Sequence, residues 1–218
     1  MRSYGRYCAC AKALDLVGDR WTLLIVMELM ILGPCRYTDL QQGLGGRVAT
    51  NLLADRLREM EEAGIVRRET ARPPVATSLF VLTERGHELM PVLRELGRWG
   101  APLLAEAPAD DEFRTHWLAI PLGEYLTDRS PELPPVTLEL RTGDEPVVLE
   151  TVEGRVRVRP GRLEHPDTVL SGPYRLIFRL LMGRMALEEA LAAGVRCEGD
   201  PEVVRRVQRP AEAPTRLV

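Results

Sequence analysis

The chain has 218 residues, 45% of them hydrophobic and 28% charged, with a formal net charge of -3. That length favours two compact domains, and that composition a globular chain over a disordered one. The longest apolar run, WTLLIVMELMIL (21–32), contains Glu28 and falls short of the roughly 20 residues that cross a bilayer; MRSYGRYCAC lacks the apolar stretch of a signal peptide, so a cytoplasmic protein without membrane insertion is expected.

Along the first half, CAKALDLVG (10–18) places Ala11, Leu14 and Val17 at helical spacing and ends at Gly18. Asp19 is then placed to cap a second helix, RWTLLIVMELMIL, whose apolar breadth predicts burial on most sides and which Gly33-Pro34 breaks. RYTDLQQGL (36–44) reads as a short third helix capped by Thr38, followed by a tight turn at Gly45-Gly46. In RVATNLLADRLREMEEAGIVRRET (47–70), Leu53, Leu57, Met60 and Gly64 fall within about 60° of one another at about 100° per residue, which defines a buried seam. Opposite lie Arg47, Asn51, Asp55 and Arg58. After Gly64 the period changes: IVRRET and SLFVLT are β-rich, and the proline-bound ARPPVA between them marks a hairpin tip. Thr83-Glu84 opens one long helix over ERGHELMPVLRELGRWGAPLL. Three helices followed by a β-wing is the order of a winged helix-turn-helix, whose recognition helix needs an apolar seam for its own core and a polar face for a DNA major groove.

Residues 1–108 carry 14 Lys+Arg against 13 Asp+Glu and the remainder 15 against 19, so DNA contact has to come from a local basic face. Lys12 is the only lysine; arginine suits phosphate and guanine recognition.

The first half resembles the HxlR family of bacterial winged-helix regulators, which are MarR-like. The resemblance is carried by Cys8, the block Gly18-Asp19-Arg20-Trp21-Thr22, Gly33-Pro34-x-Arg36-Tyr37-x-Asp39-Leu40, Asn51-x-Leu53-x-x-Arg56-Leu57 with Glu61-x-x-Gly64, and Leu82-Thr83-x-x-Gly86. It departs from the family pattern at Ala9, where a proline is usual, and in the wing TARPPVATSLF, which lacks the usual tyrosine. The resemblance implies a homodimer, paired through the N-terminal helix and the helix after the wing, on double-stranded DNA with half-sites about one turn apart. Arg47 and Asn51 are the candidates for base edges, since Arg pairs bidentately with guanine and Asn with adenine. Arg36 and Arg58 are candidates for phosphates, Thr50 for support at the helix start, and Arg72 for a contact from the wing. Arg56 serves either a phosphate or Asp39. For each arginine the alternative is a solvated ion pair, as Arg58 with Glu61 or Glu62. At Cys8 the resemblance implies a sensor of oxidants or electrophiles, helped by Arg2 or Arg6; the alternative is a small buried apolar residue.

LLAEAPADDEF (103–113) is an acidic hinge, which puts the expected domains at 1–106 and 113–218 with a linker at 107–112. Beyond it FRTHWLAIPLGEYLTD is helical with a break near Pro121, and PVTLELRT, PVVLETV and GRVRVRP alternate as a meander of antiparallel strands. SGPYRLIFRLLMGRMALEEALAAG makes two helices split at Gly183, and VRCEGDPEVVRRV is a strand followed by a helix capped by Asp200 with Pro201 at its first position. This α+β half resembles the sterol-carrier-protein-2 (SCP2-like) domain through Pro166-Asp167, Gly172, Met182-Gly183, Gly194 and Glu198-Gly199-Asp200-Pro201. The resemblance implies an antiparallel sheet covered by helices that enclose a cavity for a hydrophobic, lipid-like small-molecule effector, lined by Leu176, Phe178, Leu181, Met182 and Met185; the alternatives are a lipid-binding protein and a filled core that supports the dimer.

Cys8, Cys10, Cys35 and Cys197 are too few and scattered for a disulfide framework, and a lone Cys-x-Cys is a weak zinc signal, so no metal is expected. His87, His116 and His165 are the only imidazoles, and Gly-x-Ser-x-Gly, P-loop and dinucleotide fingerprints are absent from the sequence. Neither catalysis nor a cofactor is expected.

Overall fold

The apolar periodicity of the first half becomes a set of helices around one core in the computed structural model, which describes residues 3–71, 77–105, 107–108, 110–143 and 145–210. The chain separates into two units, Met1–Pro108 and Ala109–Val218.

In the first unit, helix α1 (Ala9–Val17) buries Ala11 and Val17 and ends at Gly18, but Leu14 faces outward. The Asp19 carboxylate accepts from Trp21 N just ahead of α2 (Thr22–Leu32), which sinks Ile25, Val26, Glu28 and Leu29 into the interior. Helix α3 (Tyr37–Gly43) begins two residues earlier than a Thr38 cap would place it. Arg36 is the N-cap, and the Asp39 carboxylate reaches back to accept from Arg36 N at 3.0 Å. That leaves Thr38 inside the first turn, one residue short of the reach that capping Asp39 has.

Helix α4 (Thr50–Glu62) buries Leu53, Leu57 and Met60 on one seam, as its spacing predicts. It ends in a left-handed turn: Gly64 takes φ 69° while Ile65 N donates to Met60 O, a closure that suits glycine. Strands β1 (Val66–Thr70) and β2 (Ser78–Leu82) pair antiparallel, and Cys35 extends the ladder by exchanging bonds with Phe80. The Thr83 hydroxyl accepts from Gly86 N at the start of α5 (Glu84–His87) and donates to Gly64 O at 2.6 Å. The single long helix expected after Thr83 is interrupted. Helix α6 (Met90–Gly100) starts afresh with Pro91 in its first turn, where a missing N–H costs nothing, and a 3-10 segment, Ala101–Ala105, follows it.

In the second unit, a 3-10 turn (Thr115–Leu118) runs into α7 (Ala119–Tyr125), and Pro121 lies within the first turn of α7 instead of breaking it. Strands β3 (Thr137–Arg141), β4 (Val147–Val152), β5 (Arg155–Pro160), β6 (Thr168–Ser171) and β7 (Arg196–Gly199) form one sheet in the order β5-β4-β3-β6-β7. The sheet is mixed, which corrects the expectation of an all-antiparallel one: β6 pairs parallel with β3. The physical reason is the connection after β5, which crosses to the far side of β3, where the Asp167 carboxylate accepts from both Thr137 N and Thr137 Oγ1 at 2.7 Å and sets the parallel register. Helices α8 (Tyr174–Leu181) and α9 (Leu187–Ala192) are separated at Gly183, and α10 (Pro201–Val207) has Asp200 as its cap. Among the described residues no helix is long and apolar enough to cross a membrane.

Candidate DNA-binding site

Two bonds hold the start of α4 to α3. The Tyr37 hydroxyl donates to Thr50 O at 2.7 Å, and Gln41 Nε2 donates to Thr50 Oγ1 at 3.2 Å. With Leu53, Leu57 and Met60 sunk among Ile25, Leu29 and Leu40, the opposite flank of α4 is left to solvent. Asn51, Thr50 and Arg58 are exposed there, and so is Arg47 in the turn just ahead. Arg58 pairs with Asp55 at 2.9 Å, not with Glu61 or Glu62. Both side chains are more than half exposed, and such a pair is weak enough to exchange for a phosphate.

Arg56 does not join that flank. It is 17% exposed, and its Nη1 lies 2.8 Å from Glu59 Oε2 and 3.7 Å from Asp19 Oδ2. Its partner across helices is Asp19, not Asp39, which accepts from Arg36 N instead. Arg56 braces α4 against the start of α2.

Arg36 is exposed at the head of α3 and lines an open cleft of about 530 Å³ together with Thr38, Ala54, Arg68, Ser78 and Phe80. Arg68 escaped the sequence reading. Its guanidinium lies 5.1 Å from the Phe80 ring centre and its Nε 3.0 Å from Glu61 Oε1, so it is held on the wing beside α4. The signal that would have found it is the cross-strand pairing of Arg68 with Phe80, which depends on hairpin register. Arg72 lies outside the described residues.

The four cysteines divide by burial. Cys8 is exposed as the N-cap of α1 and Cys10 is exposed beside it, whereas Cys35 is buried and Cys197 half-buried. Burial, reinforced by the nearby Asp39 and Glu28 carboxylates, pushes the Cys35 thiol up to about 12 and keeps it protonated. Helix α6 has an apolar stripe facing outward, with Val92, Leu96 and Trp99 exposed, while Leu89 and Leu93 pack on the core. In the second unit Leu181, Met182 and Met185 are buried members of the core formed with the sheet, and Leu176 and Phe178 pack against it.

Three packed helices with an outward-facing third, followed by an antiparallel hairpin, define a winged helix-turn-helix domain, the class that lays a helix in the major groove of DNA. The model of the HxlR-like helix-turn-helix matches residues 16–107. The uncharacterized HTH-type transcriptional regulator YvaP of Bacillus subtilis is 32% identical over 88 residues, covering 40% of this chain and 80% of the relative. The HTH-type transcriptional regulator YodB of the same organism is 33% identical over 88 residues, covering 40% of this chain and 77% of that protein. The chain belongs to the HxlR-like helix-turn-helix family of transcriptional regulators. Among solved structures, the reduced form of YodB from B. subtilis aligns at 29% identity and a TM-score of 0.41, covering 47% of this chain and 100% of that one.

Proposed function

We propose that this regulator acts as a homodimer on a two-fold DNA operator, with Arg47 and Asn51 reading base edges, Arg36 and Arg58 on phosphates, Thr50 at the helix start and Arg72 on the wing. One observation carries the reading: α4 turns Asn51 to solvent, beside the exposed Arg47 of the turn ahead of it, while its other side is locked into the core by Leu53, Leu57 and Met60. Dimerisation is supported by the outward stripe of α6 and by Leu14 on α1, large apolar side chains that a monomer leaves in water. A DNA-reading protein of this kind works in the cytoplasm. The packed state of Leu181, Met182 and Met185 favours a structural role for the second unit over an effector cavity.

The experiment is fluorescence anisotropy with a labelled duplex from the protein's own promoter region, over a salt series. Affinity falls steeply with salt, and Arg47→Ala and Asn51→Ala each weaken binding to the operator by about 5–150-fold, the worth of a bidentate base contact, with far smaller losses on unrelated DNA. Equal losses on both duplexes would refute base reading by this flank. A second reading, a thiol switch at Cys8, is favoured by the exposure of that thiol at the head of α1. It requires that diamide release the operator from the wild type and not from Cys8→Ser.

A further inference from the structure

The sheet of the second unit has two unlike faces. On one, Leu138, Leu140, Leu149 and Val156 share a core with Ile177 of α8 and Val204 of α10. The register places Arg155, Arg157 and Arg159 of β5 opposite Val152, Glu150 and Val148 of β4, and Val148 opposite Glu139 of β3, so these arginines belong to the other face. The acids of that face are largely spoken for. Glu139 is fully buried, accepting from Leu163 N at 2.9 Å and from Arg141 Nε at 2.7 Å, with Arg162 at 3.8 Å. Glu150 stands opposite Arg157 but bonds diagonally to Arg159 at 2.7 Å. Arg155 and Arg157 are exposed and form no ion pair among the described residues. Residues 109–218 carry 15 Lys+Arg against 19 Asp+Glu, so this cationic strand is segregation within an acidic unit, not a reflection of its composition.

The chemistry of the face selects its partner. Among the described residues, the large hydrophobic side chains exposed in this unit are Leu133, in the loop after α7, and Leu191, on α9; neither is on β5. A protein partner would call for an apolar centre to the patch, and a bilayer surface for aromatic or leucine anchors. A strand that offers guanidinium groups two residues apart, about 6.8 Å, with no such anchors fits a sugar–phosphate backbone, whose contacts are polar and wet. We infer that the β5 face of the second unit contacts the backbone of the duplex flanking the operator half-site, through Arg155 and Arg157. The inference rests on the DNA-binding reading of the first unit, since a tether to bound DNA raises the effective concentration of phosphate at a face too weak to bind alone.

The test uses the full chain on two duplexes, the footprinted operator alone and the same operator extended by roughly 20 bp, about two helical turns, on each side. The wild type binds the long duplex several-fold more tightly, and its plot of log K against log salt is steeper by about 3.6, at about 0.9 for each of the four phosphates that Arg155 and Arg157 of the two protomers contact. Arg155→Gln combined with Arg157→Gln abolishes that increment and leaves the operator-only affinity unchanged; Arg205→Gln, on α10 and paired with Glu188 and Glu202, retains it. If the double variant melts early, Arg157→Gln alone removes about half of the slope increment and Arg157→Lys restores it. Equal slopes on the two duplexes in the wild type, or an intact increment in the double variant, would overturn the inference and leave the regulator reading standing. Loss of binding to an acidic peptide or to anionic vesicles with no change in the DNA slopes would also overturn it, assigning the face to another polyanion. Failure to bind the operator-only duplex would overturn the regulator reading and this inference with it.

Discussion

The ion pair between Asp128 and Arg206 offers the most closely determined stability prediction. Arg206 Nε lies 2.6 Å from Asp128 Oδ1 and Nη2 2.7 Å from Oδ2, a two-point contact in which the side chains are 9% and 4% exposed. Arg206 also donates to Pro134 O at 2.8 Å, so it ties the loop after α7 to α10. Arg206→Met keeps most of the aliphatic stem but leaves a buried carboxylate with Ser130 N at 3.0 Å as its remaining backbone donor. Removing one partner of such a pair costs about 3–5 kcal/mol, which at roughly 4 °C per kcal/mol lowers the melting temperature of a unit this size by about 12–20 °C. The Arg206 guanidinium holds the Asp128 carboxyl below its ordinary value of 3.8. A depressed carboxyl contributes stability that is complete above that ordinary value and is lost as pH falls through the lower, folded-state value. Thermal melts of wild type and variant followed by circular dichroism should therefore show a constant gap above about pH 5 that narrows below 3.8. A gap of less than a degree at neutral pH, or one that persists undiminished into strong acid, would show that packing and not charge pairing holds this loop.

Trp99→Ala should raise the dimer dissociation constant roughly 30-fold, about 2 kcal/mol, as a central aromatic anchor does; sedimentation equilibrium that shows no change would remove α6 from the interface. Gly86→Ala should destabilise the first unit by about 1–3 kcal/mol in a urea melt, because a Cβ there would press on the Ile65 carbonyl and come 2.9 Å from Leu82 Cδ2. Iodoacetamide at pH 8 should label Cys8 and Cys10 in the native protein but not Cys35, whose thiol is buried and raised to about 12; mass spectrometry that finds Cys35 modified as fast as Cys8 would contradict that burial.

What the sequence alone determined is what is written in periods and caps a few residues long. Leu53, Leu57 and Met60 recur at helical spacing and are buried together. Thr83 and Asp200 cap the helices that follow them, and Gly183 separates α8 from α9, because each signal needs only neighbours within a turn or two of chain. The exposed flank of α4 was legible for the same reason, since a buried seam dictates its opposite. Tertiary structure alone decided matters that join distant segments. Arg56 could have met a phosphate, Asp39 or another acid; the approach of α2 to α4 gave it Asp19. Arg68 acquired its place on the wing through Phe80, 12 residues on in sequence and directly opposite in register. The parallel pairing of β3 with β6 depends on Asp167 reaching Thr137 across 30 residues, and no alternation pattern distinguishes a parallel neighbour from an antiparallel one. Alternation states which side chains share a face; only the folded chain states which strand lies beside them.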